Sequence, residues 1–499
     1  MKIGFFHLMP YRFLPEDFEH KYRSVWVDPP HSLFDPEKCA GLYQEFLDEL
    51  EFAEKSGFDG LCVNEHHNNA YGLMPSPNLM AATLTRRTSR AALIVLGNSL
   101  AAYNPPLRVA EEFAMLDLMS RGRLVAGFPV GTSMDMNFAY GIDPATLRER
   151  YYEAHDLVIQ AWTRPEMFAF NGKYTQVRYV NIWPQPLQKP HPPVWIPGGG
   201  SVETWEWTAH LDYVYCYLSY YGYKRGKATM DGFWEAIGRV GADDNPYRAG
   251  FLQLVCVGDT DAEAERLYFE HVHYFYQKCL NVWEGFAEAP GYRTIKTLQT
   301  GTKPQVGAQA RKIRQSLDWK QYLDQGYVIA GSPATVRQQL TECIRSLRVG
   351  HLMVLLQIGS MPKDLTLHNT DLFAREVLPH VRDEAPGYRT IKTLQTGTKP
   401  QVGAQARKIR QSLDWKQYLD QGYVIAGSPA TVRQQLTECI RSLRVGHLMV
   451  LLQIGSMPKD LTLHNTDLFA REVLPHVRDM WPGYKDRWWP TGAPAGHGQ

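Results

Sequence analysis

Eight short apolar runs alternate with amphipathic helical segments, and this alternation limits the fold more than any other feature of the chain. The runs are IGFFHLM (3–9), DGLCVN (59–64), ALIVLGNSL (92–100), RLVAGFPVG (123–131), PVWIPGG (193–199), DYVYCYLSY (212–220), FLQLVCVGD (251–259) and HLMVLLQIG (351–359). Helical periodicity occupies 40–56, 77–88, 106–119, 145–162, 202–210, 227–239, 261–279 and 367–382. Near-continuous apolar strands linked by helices make parallel sheets covered by those helices. Eight such units predict an α/β fold, a (β/α)8 TIM barrel. An open doubly wound sheet would want a glycine-rich turn after the first strand, where this chain has His7, Leu8, Met9 and Pro10. Two stretches break the rhythm. Residues 163–192 read as a proline-rich, aromatic insertion, and 280–330 as an irregular segment ahead of the last helix–strand–helix.

The second constraint is a repeat. Residues 288–383 recur unchanged at 384–479, a unit of 96 residues in two adjacent copies. Solenoid repeats are shorter, diverged and more numerous. A barrel has room for one eighth strand, and this chain carries two. Closing with the first copy leaves the shorter loop, although doubling a loop costs only ~0.6 kcal/mol. The expected organisation is therefore a barrel over 1–383 closed by copy one, a surplus copy at 384–479, and a Gly/Pro/Trp tail at 480–499 containing Trp481, Trp488 and Trp489.

Composition excludes several classes of function. With 53 basic and 52 acidic side chains, the net charge of +1 offers no field for nucleic acid. No apolar run is long enough for a membrane span. The N-terminus lacks a small-residue cleavage site and reads as a first strand. Seven cysteines (39, 62, 216, 256, 279, 343 and 439) are scattered singly, which suits reduced thiols and a cytoplasmic setting.

In a parallel barrel, chemistry gathers at the C-terminal ends of the strands. The second run ends Asn64-Glu65-His66-His67, which can be read as metal ligands, a proton-transfer site or surface polarity. Adjacent residues on a strand face opposite ways, so the two imidazoles cannot both point inward without a bend. A metal-hydrolase barrel would bring His-x-His from the first strand, which offers only His7, so no metal is expected. The third run ends Gly97-Asn98-Ser99, where small residues let a flat ligand approach. The fourth ends with Gly131, followed by Met134-Asp135-Met136-Asn137 as a loop able to carry a substrate contact. The fifth gives Pro197-Gly198-Gly199-Gly200-Ser201 before a helix, either a phosphate cradle or a flexible turn. Glu203 would repel a phosphate unless it points away, and no lysine is present for a nucleoside-triphosphate loop.

Three stretches together resemble the bacterial luciferase-like flavin monooxygenases: FDGLCVNEHH (58–67), YNPPLRVAEEFAMLDLMSRGRLVAGFPVG (103–131) and PPVWIPGGGSVETWEWTAHL (192–211). The resemblance spans most of 1–280 and one copy of the repeat. It implies a catalytic His66, oriented by Glu65, moving a proton near the reacting flavin carbon. It also implies that Asn98, at a bulged or cis peptide, contacts the flavin ring, with Gly131 and Asn137 nearby. Gly199, Gly200, Ser201 and Thr204 would hold the flavin phosphate. Where luciferase proper has a reactive cysteine and a basic neighbour that helps grip the phosphate, this chain has Pro129 and Val130.

The implied activity is monooxygenation: reduced FMN, supplied by a separate flavin reductase, and molecular oxygen together place one oxygen atom in a small organic substrate. Long-chain aldehydes, alkanes, sulfur compounds and chelating amines all suit the family, whose members often pair as homodimers. Phe168, Tyr174 and Trp183 are candidates for a lid or substrate wall, with packing on the barrel rim the alternative. Competing readings are a deazaflavin-dependent hydride-transfer enzyme and a catalytically silent flavin-binding barrel.

Overall fold

A computed structural model describes residues 1–131, 133–198, 200–218, 220–287, 317–382, 424–443 and 448–477, with single positions at 295, 416 and 419. All eight apolar runs are strands of one closed ring. They are β1 (Lys2–Phe6), β2 (Gly60–Asn64), β3 (Ala92–Leu96) and β4 (Leu124–Gly127), then, after a separate hairpin of β5 (Phe168–Asn171) and β6 (Gln176–Val180), β7 (Val194–Gly198), β8 (Val214–Tyr217) and β9 (Ala249–Val257). The short strand β10 (Val328–Gly331) precedes β11 (His351–Leu355). The ring runs β1-β2-β3-β4-β7-β8-β9-β11 and returns to β1, with every pairing parallel. Closure is set by the register of Lys2 on His351 through Phe6 on Leu355.

Strand β10 belongs to none of the eight runs. It pairs with β9 from Leu254 to Val257. There Leu254 already faces Leu355 on its other edge, and β8 has stopped at Phe251. The nine buried residues of β9 thus serve three neighbours. At four residues, β10 was hidden at the end of the segment read as irregular.

The helices begin where their caps dictate. Asp35 accepts from the Glu37 and Lys38 N–H groups ahead of Pro36–Lys55, and Thr260 and Ser332 cap Asp261–Tyr274 and Pro333–Leu347 in the same way. The 163–192 insertion is the β5–β6 hairpin. Its turn is fastened to the helix Leu147–Thr163 by Glu153, whose carboxylate accepts from the N–H groups of Lys173, Tyr174 and Thr175. Tyr174 donates to Glu149, and Arg164 lies 4.7 Å from the centre of the Phe168 ring. These aromatics are therefore held against that helix and its end, while Trp183 is exposed. All seven cysteines are free thiols. No helix among the described residues is long and apolar enough to cross a membrane.

The chain divides into two compact units, Met1–Thr393 and Leu394–Gln499. In the second, the helices Pro429–Leu443 and Lys459–Glu472 repeat Pro333–Leu347 and Lys363–Leu372. The strand does not recur: residues 448–452 have no ladder partner. Met353 and Leu355 are 1% and 0% exposed, whereas their duplicates Met449 and Leu451 are 98% and 75% exposed. The same side chains make a strand only where neighbours take up the backbone hydrogen bonds. The tail tryptophans lie outside the described residues.

Because the copies are identical, damage to one can be met by the other. An aspartate at Val354 would bury a carboxyl, at no less than the about 2–7 kcal/mol of an unpaired neutral polar group, far above the ~0.6 kcal/mol of a doubled loop. We expect Val354→Asp alone and Val450→Asp alone each to leave a folded barrel, and the double variant to lose it. Thermal unfolding followed by circular dichroism checks this. Collapse with Val354→Asp alone would restrict closure to the first copy.

Candidate functional site

The segment after β2 leaves the ladder at Asn64 and turns into the mouth of the barrel. The Glu65 side chain is only 2% exposed. Its carboxylate accepts from the Ser99 N–H at 2.8 Å, the Tyr103 hydroxyl at 2.7 Å and His67 Nε2 at 3.0 Å. A carboxylate can only accept here, so Nε2 of His67 carries its proton. Glu65 therefore orients His67, and the expectation that it orients His66 is corrected. One acid cannot serve both rings, because the neighbouring side chains diverge.

His66 faces Asp135 instead. Its Nδ1 is buried without a hydrogen-bond partner, 3.7 Å from Asp135 Oδ2, and its ring meets Tyr71 edge-on at 4.7 Å. The stretch read as a loop is a short helix, Met134–Tyr140, with Asp135 in its first turn. Asp135 Oδ2 also accepts from the His67 N–H and from Asn69 Nδ2. Burial pushes this carboxyl up, but the His66 imidazole 3.7 Å away, the Ser133 hydroxyl and the His67 N–H outweigh it and hold Asp135 below its ordinary value. A group lowered in this way contributes stability above its unfolded value and loses it only as the pH falls through the folded one. Asp135 is thus an anion beside His66 at neutral pH. Burial, then the Glu65 charge, raise the Tyr103 phenol, which remains a donor.

The third and fourth strand ends support this arrangement. Gly97 has no room for a side chain, since a Cβ would lie 2.9 Å from Glu65 Cβ. Asn98 is fully buried with a left-handed backbone, φ 66°. Its amide exchanges hydrogen bonds with Asn78 at 2.8 and 3.0 Å. The carboxamide is therefore spent on the scaffold, and only the strand-end backbone is left to meet a ligand. Among the described residues, the cis peptides precede Pro105, Pro184 and Pro190, so a cis bond at Asn98 is not found. Gly131, with φ 80°, accepts from Asn137 Nδ2, which also donates to the Ser133 carbonyl. Asn137 thus ties its own loop, with Oδ1 buried and unpartnered.

After β7, Ser201 precedes the nine-residue helix Val202–His210 but does not cap it. Its hydroxyl accepts from Arg148 at 3.0 Å and donates to Glu203 at 3.0 Å. Arg148 also reaches the Thr204 hydroxyl at 3.4 Å. A guanidinium, two hydroxyls and a helix N-terminus converge here, as an anion site requires. Glu203 does not point away: its carboxylate accepts from the Ser201 hydroxyl, so the cluster holds an acid as well as a cation. Gly200 adjoins Ser201, and Gly199 lies outside the described residues.

The family model for luciferase-like monooxygenases matches residues 26–351, well over half of the chain. The chain belongs to that family, and it is an enzyme. A protein of Sinorhizobium fredii, y4wF, is 26% identical over 70% of this chain and 94% of its own length. The oxygenase component of the flavin-dependent trigonelline monooxygenase of Acinetobacter baylyi is 30% identical, over 31% of this chain and 43% of its own. Among solved structures, the monooxygenase RslO1 from Streptomyces bottropensis aligns with a TM-score of 0.57 at 21% identity, over 76% of this chain and all of its own. The oxygenating constituent of 3,6-diketocamphane monooxygenase from Pseudomonas putida, solved with FMN, aligns at 0.58 and 19% identity, over 76% and 98%.

Three site residues escaped sequence reasoning. Tyr103 was seen only as part of a motif, and Asp135 only as part of a loop. Arg148, 53 residues before Ser201, did leave a signal: an arginine in the first turn of a helix opposes the macrodipole and asks for an anionic partner.

Glu65→Ala would leave Ser99 N–H, the Tyr103 hydroxyl and His67 without their acceptor, at about 1–3 kcal/mol for each group left unsatisfied. We expect a clear fall in the urea midpoint, with a smaller fall for Glu65→Gln, which keeps one acceptor oxygen. Equal stability of Glu65→Ala and the parent would mean that water replaces the carboxylate without loss.

Proposed function

We propose that this chain is the oxygenase component of a two-component monooxygenase, using reduced FMN from a separate flavin reductase and molecular oxygen to place one oxygen atom in a small organic substrate. The observation that carries this reading is the Arg148–Ser201–Thr204 cradle at the start of Val202–His210. Val130 supplies no charge where luciferase proper has a basic residue, and Arg148 supplies one from another element.

The residues present fit a flavin. Ser201, Thr204 and Arg148 would hold its phosphate, and the backbone at Asn98 and Gly131 borders the barrel mouth. The buried, unpartnered atoms Asn64 Oδ1 and Asn137 Oδ1 are polar groups left for a ligand. Bound there, reduced FMN supplies the electrons for oxygen activation. The chain's part is to hold the ring, exclude water and move a proton at His66 Nδ1. Asp135, as an anion 3.7 Å away, stabilises His66 when it carries that proton. Glu65 keeps His67 and Tyr103 in place beside it. Exposed Leu79, Met115, Leu118 and Met119 on the helices Pro77–Arg87 and Leu107–Met119 support pairing as a homodimer.

The test needs no substrate. Reduced FMN is mixed anaerobically with the protein, oxygen is admitted, and flavin reoxidation is followed by stopped flow. A reoxidation course distinct from that of free reduced FMN supports the reading, and Arg148→Ala should weaken FMN binding about 10- to 100-fold. Reoxidation at the free-flavin rate, with tight binding of a deazaflavin, would move the enzyme to hydride transfer.

His66→Ala should lower turnover by about 100- to 10,000-fold, the range of general acid–base catalysis, with little change in FMN affinity. Steady-state kinetics beside a flavin titration separates the two effects, and unchanged turnover removes His66 from the mechanism.

A further inference from the structure

Beside the His66–Asp135 pair lies a cavity of about 730 Å³, the size of a small-ligand site. Its walls come from the long segment after β1 and the segment after β2. Tyr11, Pro30, Leu33, Phe34 and Leu73 supply most of the surface; no Lys, Arg, Asp or Glu lines it, and its one imidazole, His31, is exposed.

The polar atoms of these walls are largely engaged. The Tyr11 hydroxyl donates to the Leu33 carbonyl and accepts from the Asp35 N–H, so its ring faces the cavity as an apolar surface. The Leu73 N–H donates to the Met9 carbonyl, and its own carbonyl accepts from Tyr43. Asn69 spends its amide on the His67 carbonyl and Asp135 Oδ2, and its side-chain oxygen accepts from the Gly72 N–H. Asn68 is exposed, with one long donation of 3.5 Å to the Asp135 carbonyl. Its carboxamide, with the exposed His31 imidazole, is left to meet a ligand.

The backbone here is also held in a strained form. Val27, a β-branched residue, has φ 69°, and Asn68 has φ 50°. The Val27 N–H donates to the Asn68 carbonyl at 2.6 Å, and Trp26 bridges Asn69. Strain of this kind gathers at ligand clamps.

We infer that this cavity takes the apolar body of a neutral organic substrate, with its polar end at the Asn68 carboxamide. The inference rests on the monooxygenase reading and narrows it. The wall has no lysine or arginine and its one imidazole, His31, is exposed, so no buried cation compensates the desolvation of a carboxylate or sulfonate, and polyanionic chelates are disfavoured at this site while neutral molecules are not. Asn69, shared between the cavity wall and Asp135, joins the substrate site to the pair that moves the proton.

The test uses the whole chain without flavin, so its failure is distinct from failure of the oxygen test. Nile red, a neutral apolar dye, and anilinonaphthalene sulfonate, an anionic dye of similar size, are titrated by fluorescence. We expect one Nile red per chain and at least tenfold weaker binding of the anion. Phe34→Asp, at a half-exposed position that tolerates a charge, should lower Nile red affinity tenfold or more. Leu33→Trp, which fills the cavity without adding charge, should lower it as well. Equal affinity for the two dyes, or Nile red binding untouched by both variants, would overturn the inference. A chain that fails in oxygen activation yet binds Nile red in this pattern would retain the cavity and lose only the monooxygenase reading.

Discussion

The pairing of the first strand with the last holds the rest in place. Lys2–Phe6 lies in register on His351–Leu355, across nearly the whole length of the barrel sequence. The seam is locked at its base, where the N-terminal amine donates to the Arg382 carbonyl at 2.6 Å. Asp59 accepts there from the Ile3 N–H at 3.0 Å and pairs with Arg382 at 3.1 Å. A parallel sheet left open would expose two edges and let every strand end drift. With the seam made, the ends of β2, β3 and β4 are brought to fixed separations, and a carboxylate from one can reach an N–H of the next.

The mouth of the barrel then sorts its charges. Two histidines adjacent in sequence are assigned to two different acids, Glu65 for His67 and Asp135 for His66. The first acid is saturated by three donors and serves as scaffold. The second keeps its charge directed at a ring nitrogen that has no other partner. At the start of Val202–His210, the Arg148 guanidinium reaches the hydroxyls of Ser201 and Thr204.

Much of this fold was legible because burial on both faces writes strands as unbroken apolar runs, and all eight ring strands carry that mark. Strand β10 carries it over only four residues, and its place is set by where β8 stops on β9, which no local pattern records. In the candidate site, the adjacency of Glu65, His66 and His67 in sequence cannot say which ring meets which acid. The resemblance implies that Asn98 contacts the flavin ring, and Asn137 lies in a stretch read as a loop able to carry a ligand contact. Here they hold backbone geometry, through Asn78 and through the carbonyls of Gly131 and Ser133. Ser201 and Thr204 came from a recognisable glycine-rich turn, whereas their cation arrives from another helix.

The duplicated closing segment raises a question of timing as well as of equilibrium. The two copies are the same polymer, so no contact energy distinguishes them, yet the ribosome does. At roughly 5–20 residues per second, the 96 residues of the repeat separate their emergence by about 5–20 seconds. Domains with long-range strand pairing fold in milliseconds to seconds. The first β11 sequence is therefore offered to an open barrel before its twin exists. Direction of synthesis breaks a symmetry that the amino-acid sequence leaves intact, and the later copy meets a ring already shut.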